Sequence, residues 1–352
     1  MTVSHTAQWV IVPNKGIDAL QFEEKVPLPS LEEGQCLVRI EAVSLNYRDI
    51  AMALGRYPLP LTKGFVACSD GAGEVIGVGS GVSEFKLGDK VCMTFMQDFQ
   101  DGIVTPNIRQ STLGSQRDGV LRQHGIFEEA GLVLLPKSLS YIEGATLPCA
   151  ALTAWNCLFG LESRALRPGE FLLTQGTGGV SLYAIQFALA IGANVISTTS
   201  TAEKAERLKA LGVQHVINYR SNSGWGEIAK SLTPDCLGVH HIIEVGGENT
   251  ISQSLNAIRP EGVVSMVGFL GGKGENEGMP SFSLIQRQLC IIRGMNVGSR
   301  RMFQHMMAFL EEHTIKPIVS DRIFKFEEVP EAYREMEKQQ FWGKIVIQVQ
   351  QT

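Results

Sequence analysis

One short segment, residues 170–181, constrains the fold of this chain more than any other. An apolar run at Phe171–Leu173 leads into the glycine-rich turn Gly176–Gly179, and a stretch with helical character follows from residue 180 to 190. A strand, a glycine turn and a helix in this order point backbone N–H groups at the helix N-terminus toward a pyrophosphate. The segment therefore predicts a dinucleotide site, and with it hydride chemistry.

The glycine pattern departs from the usual fingerprint at one position. G-x-G-x-x-G would place glycine at 181, where this chain has Ser181. A serine still permits close packing of helix against strand, and its hydroxyl could add a phosphate contact. Because glycine-rich turns are common, and this chain has 37 glycines, an ordinary turn is the alternative interpretation.

Composition narrows the class of protein. The chain has 352 residues, 44% hydrophobic and 19% charged, which is typical of a soluble globular protein large enough for two domains. A net charge of −5 without a basic block argues against nucleic acid and anionic membranes as partners. The seven cysteines form no C-x-x-C pair, and Met1–His5 does not have the basic and then apolar pattern expected of a signal peptide. We therefore expect a cytoplasmic protein without disulfides.

Two different patterns of predicted secondary structure divide the chain. Short strands broken by turns come first, at Val10–Val12, Cys36–Val43, Gly73–Gly79 and Asp89–Met93, followed by a long loop over residues 96–116. From residue 170 strands alternate with helices, and this alternation predicts a parallel sheet covered on both faces. The strands are predicted at Phe171–Leu173, Asn194–Thr198, His215–Ile217, His240–Val245 and Gly262–Val267, and the helices at Val180–Ile191, Ala202–Leu211, Gly226–Leu232 and Ile251–Ile258.

The order of several short segments resembles the medium-chain dehydrogenase/reductase superfamily, and most closely its zinc-independent, quinone-oxidoreductase-like branch. The matching segments are Leu45–Asp49, Ser69–Val75, Gly88–Val91, Ala145–Pro148, Thr153–Trp155, Gly176–Val180, Val297–Arg300 and Gly343–Val346. The resemblance implies an α/β fold: a doubly wound Rossmann sheet over residues 146–314, inserted into a GroES-like β-rich domain over residues 1–145. A helix at Pro330–Gln339 and a strand at Lys344–Val349 suggest that residues 315–352 complete the β-rich domain. Cofactor and substrate would then meet between the two domains.

The resemblance also bears on metal use. The catalytic zinc ligands of metal-dependent relatives correspond here to Asn46, Ser69 and Cys149. Catalytic zinc needs about three protein ligands, so we expect no metal. Without that Lewis acid, the acceptor should be one that needs little polarisation, such as a quinone or an enone.

The predicted cofactor is NADP(H). Thr199 takes the position where NAD-binding relatives carry an acid, and Ser200 and Lys204 could bind a 2′-phosphate. Tyr219 and Arg220 resemble residues that line the adenosine phosphate. The alternative is that Lys204 belongs only to a solvated helix face. The full set of predicted cofactor residues is Thr153, Gly176, Gly178, Gly179, Val180, Thr199, Ser200, Lys204, Tyr219, Val245, Gly268 and Phe269; for Val245 and Phe269, ordinary core packing is the alternative.

Two residues are the candidates for chemistry on the substrate. Tyr47 could donate a proton to an enolate or quinone oxygen or position a carbonyl, and Asn46 offers an amide donor. An amphipathic side chain at a domain boundary is the alternative for Tyr47. Asp49 is expected to hold local backbone or Arg48. The sequence thus predicts an NADPH-dependent reductase of a small hydrophobic quinone or α,β-unsaturated carbonyl compound.

Other interpretations stay open at this point. They are a zinc-free alcohol dehydrogenase or biosynthetic tailoring reductase, an NADPH-binding protein without meaningful turnover, and a zinc alcohol dehydrogenase. The resemblance further implies a homodimer that is joined through a strand near Leu289–Arg293.

Overall fold

The computed structural model describes residues 3–58, 61, 63–268 and 282–350. The chain divides into two compact units. Unit 1 comprises Met1–Leu152 and Gly298–Thr352, and unit 2 comprises Thr153–Val297. No helix within the described ranges is long and apolar enough to cross a bilayer.

The strands and helices are numbered along the chain. The strands are β1 (His5–Ile11), β2 (Gln21–Pro27), β3 (Gln35–Ser44), β4 (Phe65–Val66), β5 (Asp70–Val78), β6 (Lys90–Met93), β7 (His124–Glu128), β8 (Leu132–Leu134), β9 (Phe171–Gln175), β10 (Asn194–Thr199), β11 (His215–Asn218), β12 (Val239–Glu244), β13 (Ile258–Met266), β14 (Ile291–Gly294), β15 (Val319–Lys325) and β16 (Lys344–Gln348). The α-helices are α1 (Tyr47–Ala53), α2 (Pro106–Arg109), α3 (Tyr141–Gly144), α4 (Leu152–Phe159), α5 (Gly179–Ala190), α6 (Ala202–Ala210), α7 (Trp225–Ser231), α8 (Ile251–Ala257), α9 (Phe282–Gln288), α10 (Arg300–Glu312) and α11 (Val329–Lys338).

Unit 2 is built on a six-stranded sheet in the order β11-β10-β9-β12-β13-β14, with every pair parallel. Its central strands carry continuous apolar runs, such as Leu172-Leu173 and Val195-Ile196, whose side chains are fully buried. Such runs are typical of parallel strands covered on both faces. The strand order is that of a doubly wound dinucleotide-binding fold, which confirms the predicted fold class. β14, which overlaps the predicted dimer segment, is the edge strand of this sheet, and the homodimer stays a prediction.

Unit 1 contains two sheets. The larger runs β15-β16-β3-β5-β6-β8, with β7 paired to β3, and the smaller runs β2-β1-β4. β3 alternates buried and partly exposed positions along its first seven residues, as expected where one face covers a core. The last strand, β16, pairs antiparallel with β3, so the C-terminal residues complete the N-terminal sheet. Phe95, Met96 and Phe99, at the start of the predicted long loop, are all buried, and the loop contains the short helix α2.

Candidate active site

Three neighbouring strands of unit 1 bring distant polar residues to one end of its larger sheet. Ser44 of β3 is paired with Asp70 of β5 on one side and with Val346 of β16 on the other. Extending the antiparallel register between β3 and β16 by two residues sets Lys344 opposite Asn46. The strand pairing therefore explains why Asn46, Asp70 and Lys344 meet.

Lys344 fixes the orientation of the Asn46 amide. Its side chain is 4% exposed, and Nζ donates to Oδ1 of Asn46 at 2.6 Å and to the carbonyl of Leu45 at 2.8 Å. An ammonium can only donate, so the amide atom that faces it must be the oxygen. The other amide atom, Asn46 Nδ2, is buried and has no hydrogen-bond partner within the described part of the chain. The site thus holds an oriented N–H donor that no described residue engages.

Asp70 anchors the same cluster from β5. Its carboxylate is fully buried and accepts hydrogen bonds from Ser69 Oγ at 2.6 Å and from the backbone N–H of Cys149 at 3.0 Å. Cys149 lies in a π-helical turn, Leu147–Ala151, a conformation often found at functional sites. Lys344 Nζ lies 4.0 Å from Asp70 Oδ2. Asp70 and Lys344 were not among the predicted site residues, although both belong to segments that carried the resemblance.

The helix that follows Asn46 is held by Asp49. The Asp49 carboxylate accepts from the backbone N–H of Asn46 at 2.7 Å, which confirms the predicted local role of this residue. Tyr47 is the first residue of α1, and its half-buried side chain packs against the core of unit 1. Burial of Asp49 raises the pKa of its carboxyl to about 6, although the nearby Arg48 guanidinium opposes the shift. These contacts fix the backbone from which Asn46 and Tyr47 project.

The residues of this cluster do not match a zinc site. Asn46 Oδ1 accepts from an ammonium, and Ser69 donates its hydroxyl proton to Asp70. Burial raises the pKa of the Cys149 thiol, which disfavours the thiolate that zinc requires. A dication beside the Lys344 ammonium would also meet like-charge repulsion. Among the residues that the structure describes, no three His, Cys, Asp or Glu side chains come together as a possible metal site.

Unit 2 provides a cradle at the glycine turn. Gly176, with φ of 69°, directly follows β9, and its backbone N–H donates to the Thr198 carbonyl at 2.8 Å. Gly178 is the N-cap of α5. A Cβ added at Gly176 or Gly178 would meet no heavy atom of the described residues within 4 Å, so among these residues the space beside both glycines is open. A helix N-terminus that faces open space fits the pyrophosphate of a dinucleotide.

Ser181 does not serve the role considered for it. It is 1% exposed, and its hydroxyl donates to the Gln175 carbonyl at 2.8 Å. The expected phosphate contact is therefore wrong, because the Ser181 hydroxyl is buried and already donates to the protein backbone. The hydrogen bond ties the first turn of α5 to the end of β9.

The predicted adenosine-end residues come together at the ends of β10 and β11. The backbone N–H of Tyr219 donates to the Thr199 carbonyl at 3.1 Å, and Ser200 directly follows β10. On α6, Glu203 pairs with Arg207 at 3.8 Å, and Glu206 pairs with Lys209 at 2.8 Å. Lys204 is half-buried and forms no ion pair with any residue in the described ranges. Its burial lowers the pKa of its ammonium.

A buried carboxylate that was not predicted from the sequence joins the end of β9 to the end of β12. Glu244 is fully buried and accepts from Gln175 Nε2 at 2.7 Å, from Ser254, from Thr250, and from the backbone N–H groups of Gly246 and Gly247. Gln175 Oε1 in turn accepts from the N–H groups of Val245 and Gly246. The only available signal was an acidic residue directly after the apolar pair Ile242-Ile243 at the end of a strand.

The remaining predicted cofactor residues occupy three places in unit 2. Gly179 and Val180 form the first turn of α5, and Thr153 is buried in α4. The N–H of Gly268 lies 3.4 Å from the Glu244 carbonyl, beside Val245. Phe269 lies outside the described residues.

Comparisons with known proteins agree with this organisation. Residues 32–137 match the family model described as an alcohol dehydrogenase GroES-like domain, and residues 179–312 match the model described as a zinc-binding dehydrogenase. The predicted GroES-like assignment of the β-rich part is thereby confirmed. A zinc-type alcohol dehydrogenase-like protein of Schizosaccharomyces pombe is 43% identical over 95% of this chain and 96% of its own length.

A solved structure and a plant enzyme extend the comparison. A Sinorhizobium meliloti protein provisionally designated an alcohol dehydrogenase superimposes with a TM-score of 0.88, at 36% identity over 99% of this chain and 100% of that one. The 2-methylene-furan-3-one reductase of Solanum lycopersicum is 29% identical over 98% of this chain and 79% of its own length. These names describe those proteins, and all three span nearly the whole of this chain.

Proposed function

The chain belongs to the medium-chain dehydrogenase/reductase superfamily, and on that premise we propose that it is a metal-free, NADPH-dependent reductase of a quinone or an α,β-unsaturated carbonyl compound. The observation that carries the proposal is the buried Asn46 Nδ2, oriented by Lys344 and without a protein partner among the described residues. A buried donor without a partner costs free energy unless a ligand oxygen binds to it.

The residues of unit 1 suit an acceptor that carries a carbonyl oxygen. When an enone or a quinone is reduced, negative charge develops on that oxygen, and a preoriented amide N–H stabilises it. Tyr47, one residue along the chain, is the proposed hydroxyl donor to the same oxygen. The name of the tomato relative, a reductase of an enone, supports this acceptor class.

The proposed cofactor is NADPH, which supplies the hydride when bound. The open space at Gly176 and Gly178 would hold its pyrophosphate. Thr199 is not acidic, so nothing at this position repels a 2′-phosphate. Lys204, which has no ion pair within the described ranges, provides the positive charge that would bind the phosphate.

The first experiment measures NADPH oxidation by protein treated with a chelator, with one quinone and one enone as acceptors and NADH in parallel. We expect turnover with NADPH, much less with NADH, and no loss of activity on chelation.

Lys204→Ala should raise the KM for NADPH about tenfold and leave the KM for NADH unchanged. The matched control is Lys209→Ala on the same helix, where the lysine pairs with Glu206. Binding of NADPH without its consumption by either acceptor would contradict the proposed function.

A further inference from the structure

The buried ammonium of Lys344 has no role in the proposed function beyond orienting the Asn46 amide, yet its surroundings suit a second one. Its contacts at hydrogen-bond distance are to two neutral oxygens, Asn46 Oδ1 at 2.6 Å and the Leu45 carbonyl at 2.8 Å. The nearest Asp70 oxygen is 4.0 Å away and is engaged by the Cys149 N–H. The charge of Lys344 is therefore directed at the amide of Asn46.

We propose that Lys344 is a positioning residue which polarises the Asn46 amide, so that Asn46 Nδ2 becomes a stronger donor to the acceptor's oxygen. This inference rests on the proposed function. A cation on the oxygen of an amide withdraws electron density from its nitrogen, and hydrogen bonds that share a group strengthen one another where the dielectric is low. The 4% exposure of Lys344 means that water screens this effect little.

The arrangement places an ammonium, which the Asp70 carboxylate faces at 4.0 Å, against the amide of the residue that corresponds to a zinc ligand of metal-dependent relatives. Zinc acts directly on the substrate oxygen as a Lewis acid. Here the charge acts through one amide, from a residue that β16 places opposite the end of β3. A positive charge that reaches the acceptor's oxygen only through the Asn46 amide suits an oxygen that needs moderate stabilisation. The quinones and enones proposed above are acceptors of this class.

The first test observes the amide itself and needs no turnover. In protein labelled with 15N-asparagine, the side-chain resonance of Asn46 is assigned by its loss in Asn46→Ala. We expect an amide shifted from the ordinary range, and a change of that shift in Lys344→Gln, which keeps a donor but removes the charge. Lys344→Arg, which keeps the charge, should retain most of the wild-type chemical shift of the Asn46 amide. An Asn46 resonance that is the same in the wild type and in Lys344→Gln would overturn the inference.

The second test uses a double-mutant cycle in steady-state kinetics. Asn46→Ala should lower kcat about 100-fold, and Lys344→Gln about 10- to 100-fold, with the KM for NADPH unchanged in both. Because Lys344 acts through Asn46, Lys344→Gln should have little further effect in the Asn46→Ala background. Losses that multiply in the double variant would mean that Lys344 acts independently of Asn46, and the inference would be wrong.

Two controls separate this inference from folding and from the proposed function. Lys90→Met removes another lysine of unit 1, which lies over the Tyr141 ring 4.9 Å from its centroid, and should leave kcat unchanged. Lys344→Arg is the second control, for the case in which Lys344→Gln lowers kcat only because it lowers stability. Lys344→Arg keeps the charge and should recover kcat. If wild-type protein consumes no NADPH with any acceptor, the proposed function fails, while the resonance of Asn46 still decides whether Lys344 polarises it.

Discussion

At the scale of single residues, Gly178 offers the sharpest test of the cofactor site. Its φ of −76° is allowed for any residue, and an added Cβ would meet no atom within 4 Å in the part of the chain that the structure describes. Gly178→Ala should therefore fold normally, yet place a methyl group in the space that the pyrophosphate needs. We expect the Kd for NADPH, measured by fluorescence of the bound nicotinamide, to rise about tenfold or more.

The matched control is Gly224→Ala. Gly224 is also a helix N-cap with negative φ and open space around its Cβ position, but it precedes α7 and has no proposed ligand. Its substitution should leave NADPH binding unchanged. Equal weakening by the two variants would indicate a general effect on the unit and would count against the assigned site.

The buried carboxyl of Asp49 predicts an unusual dependence of stability on pH. Its pKa is raised from 3.8 to about 6 by burial, so it binds its proton more tightly in the folded state. Its contribution to stability is therefore fully present below pH 3.8 and is lost as the pH rises through about 6. The difference between the two pKa values corresponds to about 3 kcal/mol at most.

Asp49→Asn lacks this contribution. From urea unfolding at pH 4, 5.5 and 7, we expect the free energy of unfolding of the wild type to fall relative to that of the variant as pH rises. Asp98→Asn, which removes an exposed carboxylate paired with Arg117, should show no such trend. A wild type that gains stability relative to Asp49→Asn over this range would contradict the raised pKa.

At the scale of elements, Glu244 holds the end of β12 to the end of β9, directly before the glycine turn. Glu244→Gln keeps the shape but sets an NH₂ group against at least one of its buried donors. We expect a loss of about 2–4 kcal/mol in the free energy of unfolding, together with weaker NADPH binding. Chemical denaturation and cofactor titration measure the two effects, and Glu227→Gln, at an exposed position of α7, serves as the control. An unchanged Kd for NADPH would show that the hydrogen bonds of Glu244 do not position the cofactor site.

The elements of unit 2 could largely be predicted from the sequence because their periodicity is local. The predicted bounds of β9, β10, β11 and α5 agree with the structure within two residues. β13 begins at Ile258, four residues before its predicted start, because Pro260 and Glu261, with φ of 63°, lie at an irregularity in the pairing with β12. A proline argues against a strand unless a bulge accommodates it, and no local pattern reveals the bulge. The helix α10 was not predicted at all.

At the scale of the whole molecule, the candidate site depends on contacts that sequence spacing cannot show. Asn46 was predicted because it follows a strand and matches a family segment. The hydrogen bond from Lys344 requires the register of β16 against β3, which joins the two ends of the chain. The bonds of Glu244 likewise join three elements of unit 2. Residues whose side chains could carry the chemistry were thus predictable individually. How these residues contact one another could be learned only from the folded structure.

The division into two units predicts where the cofactor stabilises the protein. All twelve predicted cofactor residues are numbered within 153–297, the range of unit 2, whereas Asn46, Asp70 and Lys344 belong to unit 1. A ligand stabilises the region that binds it by RT ln(1 + [L]/Kd), about 2.7 kcal/mol at 100 times Kd. We therefore expect NADPH to slow hydrogen exchange in β9, β10 and β12 by up to about 100-fold, and to slow exchange in β3 and β16 far less. Equal slowing in both sets of strands would show that the two units open as one cooperative body, and the prediction would be wrong.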